Sequence, residues 1–186
     1  MSRSLYMMIG LPGSGKSTTV DKFIDDYVGA FIVVSTDAQI ESWAKNEGKT
    51  YDQCFAKFIG PATTLMKKKV EQAIEDGLDI IWDQTNLTVK SRASKLKMFI
   101  GYGYEKCAVE IYAPARPELD RRLANRPGKT IPKHILDNMI DNYVSPTLSE
   151  GFDDIFYFDY GLLITKESEI KECKERYAKS SNNPKN

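Results

Sequence analysis

The stretch Gly10-Leu11-Pro12-Gly13-Ser14-Gly15-Lys16-Ser17 matches the pattern G-x-x-x-x-G-K-[ST] and follows the apolar run Leu5-Tyr6-Met7-Met8-Ile9. Glycines in such a loop let successive backbone N–H groups turn inward onto an anion, and a helix opening near Lys16 adds the positive end of its dipole. The lysine then reaches the β- and γ-phosphates of a bound triphosphate, and the serine hydroxyl coordinates Mg²⁺. The spacing predicts a nucleoside triphosphate as ligand, held by Gly10, Pro12, Gly13, Ser14, Gly15, Lys16, Ser17 and Thr18, with Mg²⁺ on Ser17.

Two acids stand at the ends of apolar runs. Asp37 follows Phe31-Ile32-Val33-Val34, and Asp83 closes Leu78-Asp79-Ile80-Ile81-Trp82. Open α/β sheets bind ligands in the crevice outside the carboxyl ends of their strands, so both are candidates for chemistry. Asp83 fits the position of a carboxylate that holds Mg²⁺, directly or through water, or orients a neighbour. Asp37 is open to two readings on position alone. It is either a proton acceptor or part of a capping box, Thr36-Asp37-Ala38-Gln39, that closes a helix N-terminus.

Arg121, Arg122, Arg126, Lys129 and Lys133 crowd around Pro127-Gly128. This suits a mobile lid, near residues 121–133, in which a guanidinium meets several phosphate oxygens at once, and Arg122 and Arg126 are its candidate phosphate contacts. His134, the only histidine, is expected on a helix surface, so either proton abstraction falls to a carboxylate or the substrate needs little help.

The elements that must position these groups alternate. After the loop, Val20, Phe23 and Ile24 mark a helix by their i, i+3, i+4 spacing, ending near Gly29. Residues 31–34 read as a strand buried on both faces of a parallel sheet. A helix over 39–45 and a longer one over 53–75, interrupted or kinked at Gly60-Pro61, follow. The Lys67-Lys68-Lys69 run reads as a solvated surface. Strand 78–83, a helix over 88–100, strand 106–112 and a short helix over 118–124 come next. Pro132 is expected as the first residue of a helix through Tyr143. A final strand, 155–158, precedes a charged helix over 166–179 and a tail from Ser180 expected to be disordered.

The chain has 186 residues, with 26 Lys+Arg against 26 Asp+Glu. That length suits one α/β domain, and zero net charge limits any polynucleotide contact to a local patch. A rim of Lys90, Arg92, Arg116 and Arg122 is the candidate patch. Cys54, Cys107 and Cys173 are widely spaced and odd in number, which points to reduced thiols and a cytoplasmic location. No signal peptide is expected at the N-terminus, and no run approaches the roughly 18 apolar residues of a membrane span. The oligomeric state is not fixed by the sequence.

Gly10 to Thr18, Thr36-Asp37, Asp83-Gln84-Thr85-Asn86-Leu87 and Arg126 to Pro132, taken together, resemble the kinase module of bacteriophage and bacterial 5′-polynucleotide kinases. The likeness runs from about residue 4 to 160. It implies a P-loop kinase fold of class α/β, with a five-stranded parallel sheet in the order 2-3-1-4-5 and helices on both faces. It assigns Asp37 as general base on a 5′-hydroxyl, Asp83 to a metal or to partners, and Lys16 and Arg126 to charge neutralisation. The implied partners are ATP and a 5′-hydroxyl end of DNA or RNA. The family often carries an arginine three residues after the base, to hold a 3′-phosphate, where this chain has Ile40. A small-molecule alcohol or nucleoside is therefore the alternative acceptor, and a slow ATP-hydrolysing adaptor is the alternative of another class. No D-x-D-x-[TV] phosphatase motif occurs, so a stand-alone kinase is expected, with a domain over 1–165 and a helix and tail over 166–186.

Overall fold

The computed structural model describes residues 3–26 and 29–181. Its centre is strand β1 (Arg3–Ile9), followed by α1 (Lys16–Asp26), β2 (Phe31–Val34), α2 (Thr36–Asn46), α3 (Tyr51–Asp76) and β3 (Asp79–Trp82). Then come α4 (Val89–Leu96), β4 (Tyr104–Ile111), α5 (Arg116–Ala124), α6 (Lys133–Asp141), β5 (Asp154–Asp159), β6 (Leu162–Ile164) and α7 (Glu167–Ser181). The strands form one sheet in the order β2-β3-β1-β4-β5-β6. The first five are parallel and in the expected order.

The sheet has six strands where five were expected. Asp159-Tyr160-Gly161-Leu162 turns the chain back with positive φ at Tyr160 (48°) and Gly161 (75°), and β6 then pairs antiparallel to β5. A tight turn with two left-handed residues is what a two-residue hairpin requires.

Alternation along β1 sends Leu5, Met7 and Ile9 to one face, against Met66, Val70 and Ala73 of α3 and Leu96 of α4. It sends Met8 to the other, where Val20 of α1 packs with Ile81 and Val109. Helices therefore cover both faces. A separate cluster, with Leu119, Leu123, Leu136 and Ile140, seats α5 and α6 on Leu11 and Leu87 at the strand ends. Helix α7 packs through Ile170 and Cys173 on Tyr112, Tyr157 and Ile164.

Several boundaries differ from expectation for local reasons. Helix α3 runs unbroken through Pro61. The proline leaves the Lys57 carbonyl without its helical donor, but both residues lie on the exposed face, where water can serve that carbonyl. The helix also opens with a full capping box of Thr50 and Gln53 and closes on a left-handed Gly77. The cap of α2 is Ser35, not Thr36: the Ser35 hydroxyl accepts from the Ala38 N–H at 3.3 Å, and with alanine at the third helical position the predicted capping box does not form. Pro132 is the N-cap of α6 rather than its first residue, and α6 ends at Asp141. Ser180 and Ser181 continue α7, so the expected disordered tail does not begin there; its remainder, 182–186, lies outside the described residues.

Cys54, Cys107 and Cys173 are buried free thiols, and burial pushes Cys107 up to about 12 and Cys173 up to about 11. His134 and Lys67 to Lys69 are exposed, as read from the sequence. Among the described residues, no helix is long and apolar enough to cross a membrane.

Candidate active site

The loop between β1 and α1 is shaped by contacts only small residues allow. A Cβ at Gly10 would stand 2.6 Å from the Ile111 carbonyl oxygen and 2.9 Å from the Ser14 hydroxyl, so β4 excludes any larger residue. Gly15 has open space around it but adopts φ 108°, a conformation L residues rarely hold. The Gly10 N–H donates to the Thr85 carbonyl at 3.0 Å, tying the loop to the segment after β3.

Two features of the loop fit a triphosphate. The Ser14 hydroxyl is buried with no partner among the described residues. The Lys16 ammonium is folded back onto the carbonyls of Gly10 (2.9 Å) and Leu11 (2.7 Å), neutral acceptors that a phosphate would outcompete. Burial lowers Lys16 to about 8, opposed by the Asp83 carboxylate.

Strands β2 and β3 end side by side, because the Asp83 N–H donates to the Val34 carbonyl at 2.9 Å. Asp83 and Asp37 thus come to adjacent strand ends beside the loop. Burial raises the Asp83 carboxyl above the ordinary range, with Lys16 pulling the other way. Burial also acts to raise Asp37, but the Lys129 ammonium and the Tyr51 hydroxyl outweigh it and hold the carboxyl low. Tyr51 donates to Asp37 Oδ1 at 2.9 Å, and Lys129 Nζ lies 2.8 Å from Oδ2. The Tyr51 phenol is pushed up by burial and by Asp37, so it stays a donor.

Pro12 to Thr18, Asp37, Asp83, Arg122 and Arg126 all line one cleft of about 1170 Å³; Gly10 supports it from behind. Of the basic cluster, Arg122, Arg126 and Lys129 face this cleft. Arg122 is held by Glu118 at 2.8 Å and donates to the Gly13 carbonyl at 3.2 Å, with Tyr160 under its guanidinium at 5.7 Å. Arg121 is instead paired with Glu118 and exposed, and neither it nor Lys133 lines the cleft.

The expected basic rim does not form as a unit. Arg92 is fully buried, with its guanidinium on Glu150 at 2.7 and 2.8 Å and on the carbonyls of Asn86 (3.0 Å) and Val144 (2.8 Å). Arg116 is held by Asp120 and Asp137. Arg92 is buried away from any polynucleotide, and Arg116, although it keeps N–H donors to spare, is already neutralised by two carboxylates.

Residues not singled out by their spacing also build the site. Asn86, buried at φ 50°, donates to the Met8 carbonyl at 2.7 Å and accepts from Lys95, so it pins the Asp83–Leu87 segment to β1. Gln84 bridges Trp82 Nε1 (3.0 Å) and the Thr36 hydroxyl (2.8 Å), linking the two strand ends that carry Asp83 and Asp37. Their signal lay in the Asp83-Gln84-Thr85-Asn86 motif, whose polar residues are positioning groups. Tyr51 had no sequence signal beyond following the cap at Thr50.

Ser17 and Asp83 would hold Mg²⁺. A hydroxyl and a carboxylate are hard oxygen donors, which suit an ion that keeps several waters and shares substrate phosphates. No group of three or more His, Cys, Asp or Glu is placed to hold a metal among the described residues, which leaves such an ion on few protein ligands.

Residues 5–146 match the family model described as AAA domain. Among solved structures, a candidate kinase from Chloroflexus aurantiacus j-10-fl superposes with TM-score 0.63 at 14% identity, over 95% of this chain and 99% of that one. A structure of the PezAT chromosomal toxin–antitoxin system of Streptococcus pneumoniae gives TM-score 0.64 at 16% identity, over 97% and 86%. The Pnkp1/Rnl/Hen1 RNA repair complex gives 0.59 at 21% identity, covering 76% of this chain and 44% of that one. At these identities the likeness establishes the fold.

Proposed function

The chain belongs to the AAA domain family and has a P-loop kinase-like fold, and from that premise we propose that it transfers the γ-phosphate of ATP to a hydroxyl, most directly the 5′-hydroxyl end of DNA or RNA. The observation that carries this reading is the Asp37 carboxylate, which lines the cleft that also holds Lys16, Asp83 and Arg126 and is oriented by the Tyr51 hydroxyl at 2.9 Å. A carboxylate ionised at neutral pH and oriented by a phenol can receive a proton as an oxygen nucleophile forms its bond.

In this mechanism Asp37 takes the acceptor hydroxyl proton while the hydroxyl oxygen bonds to the γ-phosphorus. The bond from that phosphorus to the bridging oxygen breaks, and ADP leaves with the electron pair. Lys16 and Arg126 meet the charge that spreads over the transferring oxygens, and the loop N–H groups orient the β-phosphate. Mg²⁺ on Ser17 and Asp83 would supply further charge neutralisation. The unit assigned to this reaction is the stretch through residue 165, with 121–133 as lid. The 5′-hydroxyl of a polynucleotide is supported by the resemblance of Asp83 to Leu87 and of Arg126 to Pro132. The likeness to the fold of an RNA repair complex is compatible with it.

One observation favours a second acceptor class. Ile40 is fully buried in the core of α2, and the residue presented to the cleft next to it is Glu41, an acid. Nothing cationic on α2 is placed to hold a 3′-phosphate, which suits a small-molecule alcohol. Labelled ATP offered with 5′-hydroxyl oligonucleotides, nucleosides and sugars separates the readings. The oligonucleotide is expected to be the best acceptor, with weak preference for a 3′-phosphate on its first nucleotide. Equal or faster transfer to a nucleoside or sugar would reverse the order, and steady hydrolysis with no transfer to any acceptor would favour the adaptor.

A further inference from the structure

We propose that Lys129 decides between acceptor and water: it occupies Asp37 until an acceptor with enough binding energy displaces it, which keeps ATP from being spent on hydrolysis. The inference rests on the assignment of Asp37 as proton acceptor.

The Lys129 ammonium is saturated. It lies 2.8 Å from Asp37 Oδ2, 2.7 Å from Glu41 Oε1 and 4.3 Å above the centre of the Tyr51 ring, and its side chain is only 11% exposed. An ammonium carries three donors and no acceptor, so this arrangement commits it to the base side of the cleft. Arg126, three residues earlier on the same segment, is the lid cation placed to act on both Lys16 and Asp37.

The backbone on either side of Lys129 is fastened to the start of α3. The Asp52 N–H donates to the Gly128 carbonyl at 3.0 Å, and the Asp52 carboxylate accepts from the Thr130 N–H at 2.8 Å. Tyr51, the next residue, holds the other oxygen of Asp37. The first turn of α3 therefore positions both the base and the lysine that covers it.

With Oδ1 on Tyr51 and Oδ2 on Lys129, two of the carboxylate's roughly four acceptor sites are taken and its charge is offset, so a nucleophile that leaves Lys129 in place meets a weakened base and one that displaces it meets a stronger one. A bound acceptor can supply the work of displacement from contacts remote from its hydroxyl, whereas water brings only its own hydrogen bonds. The reaction held back is hydrolysis. In it a water oxygen bonds to the γ-phosphorus, the bond to the bridging oxygen breaks, ADP leaves with the electron pair, and the water proton goes to Asp37. Lys129 is thus a positioning residue that acts through Asp37.

The test is Lys129→Met in the full chain, assayed for ATP hydrolysis without acceptor and for transfer to a 5′-hydroxyl oligonucleotide. Hydrolysis relative to transfer is expected to rise by about two- to fivefold, the factor that corresponds to the upper part of the range for one partly exposed ion pair. The acid limb of the transfer profile should move to higher pH, because Tyr51, Arg126 and Lys16 remain around Asp37, with Glu41 and Asp83 opposing, but the principal cation is gone. Asp52→Ala leaves the lysine in place and loosens its backbone; it should raise the same ratio and speed amide exchange at Thr130. An unchanged ratio overturns the inference, as does a joint loss of hydrolysis and transfer by about 100-fold, the mark of a cation acting on the phosphates themselves. Asp37→Asn separates the two levels. Transfer that survives in that variant overturns the assignment of the base. Transfer lost there, together with an unchanged ratio in Lys129→Met, overturns only the role of Lys129.

Discussion

Binding of ATP should take up a proton at alkaline pH, and the group responsible should be Lys16. In the nucleotide-free protein this ammonium is buried, rests on neutral carbonyls, and titrates at about 8. A polyanion beside it favours the charged form, so binding raises its titration point. Affinity is then flat below about pH 7 and falls about tenfold for each pH unit above the free value, or about 1.4 kcal/mol per unit. Between about pH 7 and about pH 9 the dissociation constant should rise about tenfold, and close to one proton should be taken up per ATP at the alkaline end. Isothermal titration calorimetry in buffers of different ionisation heat reads this uptake without any turnover. Lys16→Met should abolish it. Lys95 is the other lysine of the cleft that burial lowers to about 8, so a Lys95→Met protein is the control and should retain the uptake. Tight ATP binding at about pH 9 with no proton uptake would refute the placement of Lys16 at the phosphates.

Three other perturbations test separate parts of the structure. Arg92→Met leaves Glu150 and two carbonyls without their buried partner, so chemical denaturation should show a loss of about 3–5 kcal/mol; a loss below about 1 kcal/mol would mean the pair contributes nothing. Gly10→Ala places a methyl group against the Ile111 carbonyl, so it should weaken ATP binding and lower Tm together; an unaffected Tm would show that β4 can yield there. Arg126→Lys keeps the charge but loses the planar fork, so kcat should fall with little change in KM for ATP; if only substitutions at Arg122 matter, the phosphate contact has been assigned to the wrong arginine.

The parallel strands were legible as elements because the runs at 5–9, 31–34 and 78–82 are almost wholly apolar, while their order came from the resemblance to the polynucleotide kinases; β2 nonetheless lies at the sheet edge with Val33 exposed, not buried on both faces as its run suggested. Asp37 and Asp83 were legible because they follow such runs at the end where α/β crevices open. Strand β6 was not, because it is three residues long and only Ile164 is buried. The cap of α2 slipped by one residue because Ser35 and Thr36 are both good caps and only backbone geometry selects between them. Proline at 61 reads as a break wherever its helix is considered alone, and what carries α3 through it is the tertiary packing of Met66, Val70 and Ala73. Arg92 could not be told from a surface arginine, since its partner Glu150 is 58 residues away and nothing local marks either as buried. The link from Lys129 to Asp37 is of the same kind: the lysine was visible as part of a basic cluster, but it lies in the loop between α5 and α6 and its acidic partner sits far away in the chain, on α2.

The central claim, that Asp37 accepts the proton of an attacking hydroxyl, is tested most directly by single-turnover transfer from labelled ATP to a 5′-hydroxyl oligonucleotide in Asp37→Asn, with ATP affinity measured on the same protein. The amide keeps the shape of the carboxylate and cannot take a proton. Because the helix cap is Ser35, the substitution removes no cap. The account predicts a fall in transfer of about 10²-fold or more with ATP affinity and Tm nearly unchanged. Transfer at close to the original rate in a folded, ATP-binding Asp37→Asn protein would contradict it.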